Sequence, residues 1–179
     1  FEMGIAWFWP KKRLARLVTV EGLEYLKEAE AKGKGVVLMT VHFSHMQLAI
    51  TFLNIFHSID CTYKRHTNPV HDFIQISRHK RFNPKTTAIE RKNMRLMIKS
   101  LRQGRAVWYA PDQDYGIKHS IFLPFFGINA ACITATSPLT QSGNAILISV
   151  CAIRKPVGGY KLIISPPLDN FPTDNLIQD

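Results

Sequence analysis

Cysteine is scarce in this chain. Cys61, Cys132 and Cys151 are the only three in 179 residues, odd in number and widely spaced. They form no CxxC pair and no zinc-ligand spacing, which argues against a disulfide scaffold and a structural metal site. Small buried hydrophobes in a reducing compartment are the expectation. No run approaches the roughly 18 uninterrupted apolar residues of a membrane-spanning helix, and no signal-peptide pattern is present. Internal repeats, low-complexity tracts and linkers are also missing, so residues 1–179 read as a single domain with a substantial core. Acid is the last shortage. Thirteen Asp and Glu face 23 Lys and Arg, a formal net charge of +10.

The excess of cations is confined to one window. Residues 64–105 carry twelve Lys and Arg against Asp72 and Glu90, and the remainder of the chain balances. Segregated positive charge implies an anionic partner: phosphates, an acidic protein or an anionic membrane surface. A nucleic-acid-binding module is the competing class. It predicts steep salt dependence, but only Phe73 and Phe82 supply aromatics in the window, and no DNA- or RNA-reading motif occurs. Near the beginning, Trp7, Phe8 and Trp9 precede Lys11, Lys12, Arg13 and Arg16. Rings beside cations suit a membrane–water interface, and they equally suit a capped amphipathic helix packed on the core.

Periodicity predicts an α/β fold. EGLEYLKEAEAK (21–32) reads as an amphipathic helix stopped near Gly33, and GVVLMTV (35–41) as a buried strand. Helical spacing runs from Ser44 to Phe56, followed by a strand at 60–64 and a helix at 68–82 that begins at its proline. A basic helix is expected at 90–103, a strand at 105–110, and two more strands at 146–155 and 159–167. Strands alternating with helices imply a mainly parallel central sheet flanked by helices, with an antiparallel edge near the C-terminus.

In such a sheet, ligands sit where loops leave the C-terminal ends of strands. Two loops qualify: VHFSHMQ after GVVLMT, and APDQDYG after RAVWY. His42 leaves a buried strand just before a helix, a place suited to a general base. If it lies in the turn, residue 47 can fold back to touch the imidazole and hold its tautomer. Gln47 has a second reading, since Ser44-His-Met-Gln47 fits a capping box. His45, in the first helical turn, reads as an exposed or packing residue. Lys64 and Arg65 could hold a phosphate or polarise a carbonyl, or simply be a solvated loop pair. Asp112 and Asp114 stand at the mouth of a strand, where one could anchor a basic residue or substrate, or Pro111-Asp112 could only shape a turn. Phe122, Phe125 and Phe126 suit either an apolar wall of a binding site or ordinary core.

His42-Phe43-Ser44-His45-Met46-Gln47 resembles the HX4(D/E) motif of the glycerolipid and lipid A acyltransferase superfamily. MGIAWFWP (3–10), YKRHTNP (63–69), VWYAPDQDYG (107–116) and FLPFFG (122–127) resemble, in the same order, blocks of the late lipid A acyltransferases, the lauroyl branch most closely. The resemblance runs from about residue 3 to about residue 167. It implies an enzyme that moves an acyl chain from acyl carrier protein onto a hydroxyacyl group of a Kdo-lipid A precursor, without cofactor or metal. The implied location is the cytoplasmic face of the bacterial inner membrane. The family's N-terminal membrane anchor and C-terminal region are not in this sequence, which reads as a partial chain. A glycerophospholipid acyltransferase and an inactive lipid-binding relative share the same loop.

The resemblance also implies roles. His42 would be the base, the residue at 47 its orienting partner, and Lys64, Arg65 and Asn68 part of a substrate-binding block. Relatives carry an acid where this chain has Gln47. An amide can still accept from the imidazole but cannot stabilise its cation, and a comparable change in a serine-protease triad costs about 10⁴ in rate. The expectation is therefore binding with impaired turnover.

Overall fold

The computed structural model describes residues 1–113, 116, 120–173 and 175. The chain opens with α1 (Glu2–Phe8), α2 (Lys11–Leu17), β1 (Val18–Glu21), α3 (Leu23–Ala31) and β2 (Gly35–Met39). It continues through α4 (Met46–Phe56), β3 (Ile59–Tyr63), α5 (Pro69–His79), β4 (Ala88–Glu90), α6 (Met94–Arg102) and β5 (Ala106–Tyr109). A hairpin of β6 (Ser120–Phe125) and β7 (Ile128–Ile133) follows, then α7 (Thr136–Ser142), β8 (Ala145–Arg154) and β9 (Tyr160–Pro167).

Seven strands form one sheet in the order β1-β9-β8-β2-β5-β3-β4, and β6 and β7 form a separate two-stranded ribbon. Every pairing in the large sheet is parallel except β8 with β9. The α/β class and the mainly parallel sheet are as expected, but the antiparallel pair β8–β9 is not at the edge, because β1 adds in parallel outside β9. Strand β2 is continuously apolar because it is central and covered on both faces. Val36 and Leu38 pack with α3 and α4 through Leu26, Ala29, Ile50 and Leu53. Val37 faces the opposite layer, with Met97 and Leu101 of α6 and Leu139 of α7. Helices α1 and α2 form an outer layer, where Trp7 and Leu14 cluster with Leu48 and Phe52 of α4.

Several boundaries differ from the periodicity. Glu90 ends a strand, and α6 starts only at Met94, because the Asn93 side chain caps it by accepting from Leu96 N–H. Helix α5 ends at His79 rather than residue 82. At the N-terminus, Trp7 is buried core while Phe8 is exposed, and the Arg13 guanidinium stacks 3.4 Å from the Trp9 ring centre. Cys151 is exposed rather than buried, and all three cysteines are free.

The end of the sheet remote from the loops is held by a buried ion pair. Arg105 donates to both carboxylate oxygens of Asp60, at 2.7 and 2.5 Å. Thr87 N–H (2.7 Å) and the Ser100 hydroxyl complete the shell. Asp60 is 1% exposed, and these donors offset the cost of burying its carboxylate. Gly35 is required nearby, because a Cβ there would lie 2.3 Å from the Leu101 carbonyl oxygen of α6. We expect Asp60→Ala to destabilise the fold by about 3 kcal/mol, measured by urea unfolding, since Arg105 would lose its counter-charge.

Candidate active site

Strands β2 and β5 pair in register from Val36↔Ala106 to Met39↔Tyr109. Thr40 N–H still bonds the Tyr109 carbonyl at 3.0 Å, so the two chains leave the sheet side by side. Carried three positions past the last paired residues, the same offset of 70 brings His42 to Asp112. The His42 ring Nδ1 lies 2.6 Å from Asp112 Oδ1, and the His42 backbone N–H donates to Oδ2 at 2.5 Å. Asp112 thus grips both the ring and the main chain of one residue.

The tautomer follows from the partners. Arg91, a pure donor, gives an N–H to Gln113 Oε1 at 2.8 Å. That leaves the Gln113 amide group to donate toward His42 Nε2, at 3.2 Å. Nε2 is therefore the acceptor, and Nδ1 carries the proton donated to Asp112. Burial pushes the Asp112 carboxyl up, but the hydrogen bonds from the His42 amide and ring outweigh it and hold the group below its ordinary value. The side chains of His42 and Asp112 are part-exposed, at 41% and 29%.

A cavity of about 510 Å³ opens beside this pair. Its walls include Met46, Met94, Met97, Trp108 and Ile133, with Lys64, Arg91 and Lys92 among the polar contributors. The cations are gathered because Arg91 N–H bonds the Tyr63 carbonyl at 2.9 Å, which holds the exits of β3 and β4 together. A second cavity of about 640 Å³ shares Lys64, Arg91 and Lys92 and adds Arg65. The arrangement offers a histidine whose Nε2 lone pair is held only by the Gln113 amide, a carboxylate behind it, an apolar chamber and a cationic rim. A nucleophile's proton can be taken there while developing negative charge is met by cations.

The model of the bacterial lipid A biosynthesis acyltransferases matches residues 1–178. The chain belongs to that family. It is 38% identical over 175 residues to the lipid A biosynthesis palmitoleoyltransferase of Escherichia coli K12, covering 97% of this chain and 56% of that protein. Identity is 37% over 176 residues to the lauroyltransferase of the same organism, covering 97% and 57%. A Haemophilus influenzae Rd lipid A biosynthesis acyltransferase is 39% identical over 171 residues, covering 94% and 54%. The chain therefore spans about half the length of the relatives it matches. Lauroyl and palmitoleoyl relatives differ by a single per cent, so identity does not single out the lauroyl branch.

Within the chain the anticipated residues have different surroundings. Gln47 does not bond His42. Its Oε1 lies 3.3 Å from Nε2 of His79, at the end of α5. No capping box forms either: His45 holds the cap position without a side-chain bond, and Ser44 Oγ lies 3.3 Å from His45 Nδ1. His45 is a packing residue, bonded to the Ala152 carbonyl at 2.8 Å and stacked near Phe43 and Tyr160. Asn68 caps α5, accepting from Val70 and His71 N–H, so its oxygen is committed to the fold. Phe122, Phe125 and Phe126 are exposed on the hairpin rather than packed in core. Asp114 lies outside the described residues. Gln113 and Arg91 were not singled out from the sequence, although Gln113 stands between the two acids that were. Among the described residues no group of three metal-binding side chains gathers, and no helix is long and apolar enough to cross a membrane.

Burial depresses His79 from an ordinary 6.5 to about 4. Between those values the unfolded chain binds more protons than the folded one, so the neutral ring's contribution is complete above pH 6.5 and is lost as pH falls toward 4. We expect acid unfolding to cost about 3 kcal/mol through this residue. Unfolding free energies at pH 7 and in mild acid should show that slope, and His79→Gln should flatten it. Gln47→Glu should also reduce it, because a carboxylate beside the ring favours its charged form.

Proposed function

We propose that the chain transfers a fatty acyl group, lauroyl in the reading favoured by its motif blocks, from acyl carrier protein to a hydroxyacyl group of a Kdo-lipid A precursor. The observation that carries this reading is the His42–Asp112 pair at the wall of an apolar cavity that His42 helps to line. The acceptor hydroxyl displaces the Gln113 amide and gives its proton to Nε2 as its oxygen attacks the thioester carbonyl. The carbon–oxygen bond forms, the intermediate collapses, the carbon–sulfur bond breaks, and the departing thiolate takes the proton back from the imidazolium. Asp112 remains ionised throughout and stabilises the imidazolium through Nδ1–H. Lys64 and Arg91, which line the same cavity, would meet the developing oxyanion.

The cavity supports the same reading. Three methionines line an apolar chamber, and such side chains adapt to a flexible chain. Lys64, Arg65 and Lys92 on the neighbouring cavity suit the phosphates of the acceptor lipid or the acidic surface of the carrier protein. The inner-membrane face is the corresponding place of action.

This assignment changes what Gln47 means. Asp112 supplies the negative charge that the base requires, so an amide at residue 47 does not by itself stall turnover. Acyl transfer from a lauroyl carrier-protein thioester to a tetra-acylated lipid A precursor tests the point. Asp112→Asn should lower the rate by about 10⁴, as loss of an orienting carboxylate does elsewhere. Gln47→Glu should change it by no more than a few-fold. A large gain from Gln47→Glu together with a small loss from Asp112→Asn would return the orienting role to residue 47.

A further inference from the structure

The hairpin of β6 and β7 is built unlike the rest of the surface. Its register closes at Phe125↔Ile128, leaving Phe126-Gly127 as a two-residue turn with φ of 49° and 80°. A turn with both φ values positive favours Asn-Gly, because a Cβ is crowded there. This chain places phenylalanine in the strained position, 92% exposed. Phe122, Leu123, Phe125 and Ile128 are also exposed, at 55%, 44%, 63% and 76%. Adjacent positions point to opposite faces of a ribbon, so both faces present apolar groups. Residues 120–153 contain no Lys, Arg, His, Asp or Glu. Exposed edges in water are normally protected by charge, and an isolated two-stranded ribbon is marginal there.

We propose that the tip of this hairpin inserts into the outer layer of an anionic lipid bilayer and sets the mouth of the cavity against the lipid surface. Two features choose lipid over a second copy of the chain. Each copy carries a net +10, so apposed copies repel, whereas anionic headgroups attract that charge. The C-terminal end of β7 also runs directly into the cavity, since Ile133, Thr134 and Ala135 line it together with Lys64, Arg91 and Lys92. An apolar tip at one end of β7 and a cationic cavity rim at its other end are complementary to the two zones of a bilayer, acyl chains and headgroups. Insertion is shallow, because the ribbon's outer edges leave backbone groups that hydrocarbon could not satisfy. The inference rests on the membrane location proposed above and is independent of the chemistry at His42.

The test uses vesicles of phosphatidylethanolamine and phosphatidylglycerol, with phosphatidylcholine vesicles for comparison. Phe126→Trp adds an indole at the tip, to be read against the parent chain's own tryptophan emission. Brominated acyl chains should quench the added emission, and Phe125→Asp/Phe126→Asp should lower vesicle partitioning by about tenfold or more. Both residues are exposed, so near-ultraviolet circular dichroism should show an unchanged fold. His42→Ala should abolish acyl transfer and leave partitioning intact, which separates failure of this inference from failure of the catalytic reading. Absence of vesicle binding, or binding with an unquenched indole and an unaffected double variant, would overturn insertion. So would concentration-dependent self-association that the double variant dissolves, which would make a second copy the occupant.

Discussion

The parallel pairing of β2 with β5 is the constraint on which the site depends. His42 and Asp112 are 70 residues apart, and their meeting is the strand register extended beyond the sheet. Because both faces of β2 are buried, the apolar pattern alone does not reject a one-residue slip, which would present Pro111 or Gln113 to His42. The anchors lie at the opposite end. Val36 N–H bonds the Arg105 carbonyl at 3.1 Å, Arg105 is clamped to Asp60 of β3, and Gly35 admits the end of α6 against the strand. Stability is concentrated where the strands begin and chemistry where they end, the usual division in an open α/β sheet.

Charge is divided along the same line. The twelve cations of residues 64–105 suggested one basic face, but the fold commits several of them internally. Arg105 serves Asp60, Arg81 bonds the Trp7 carbonyl at 2.8 Å, and Arg102 bonds the Ser142 carbonyl at 2.8 Å. The remainder do not form a uniform surface either. Lys64 and Lys92 stand with Arg91 at both cavities, and Arg91 also sets the Gln113 amide that defines the His42 tautomer. One guanidinium therefore links the anion-attracting rim to the tautomer of His42.

What was legible in the sequence was whatever depends on near neighbours. Helix and strand identities came from spacing, and the strand mouths at VHFSHMQ and APDQDYG were marked as the candidate ligand loops by the logic of parallel sheets. The pairing between those loops was not legible, because it depends on which residue of VVLMTVH lies beside which of AVWYAPD. A proximity of five residues made 42 and 47 the natural dyad, while the real partner is distant in sequence and adjacent in the sheet. The hairpin was missed for a different reason. Apolar groups on both faces erase the alternation that marks a half-buried strand, and Pro124 further obscures it.

Gln47 belongs to a neutral pair. His79 is 4% exposed, and burial disfavours its cation. Its Nε2–H can donate to the Gln47 carbonyl oxygen, so two polar groups are satisfied without charge. A carboxylate at residue 47 would face the same ring and would either draw a proton onto His79 or lie beside a neutral imidazole, partly desolvated. The neutral amide and the neutral histidine are therefore matched to each other. The candidate site keeps a single carboxylate behind His42, on Asp112, where two bonds to His42 hold it in place.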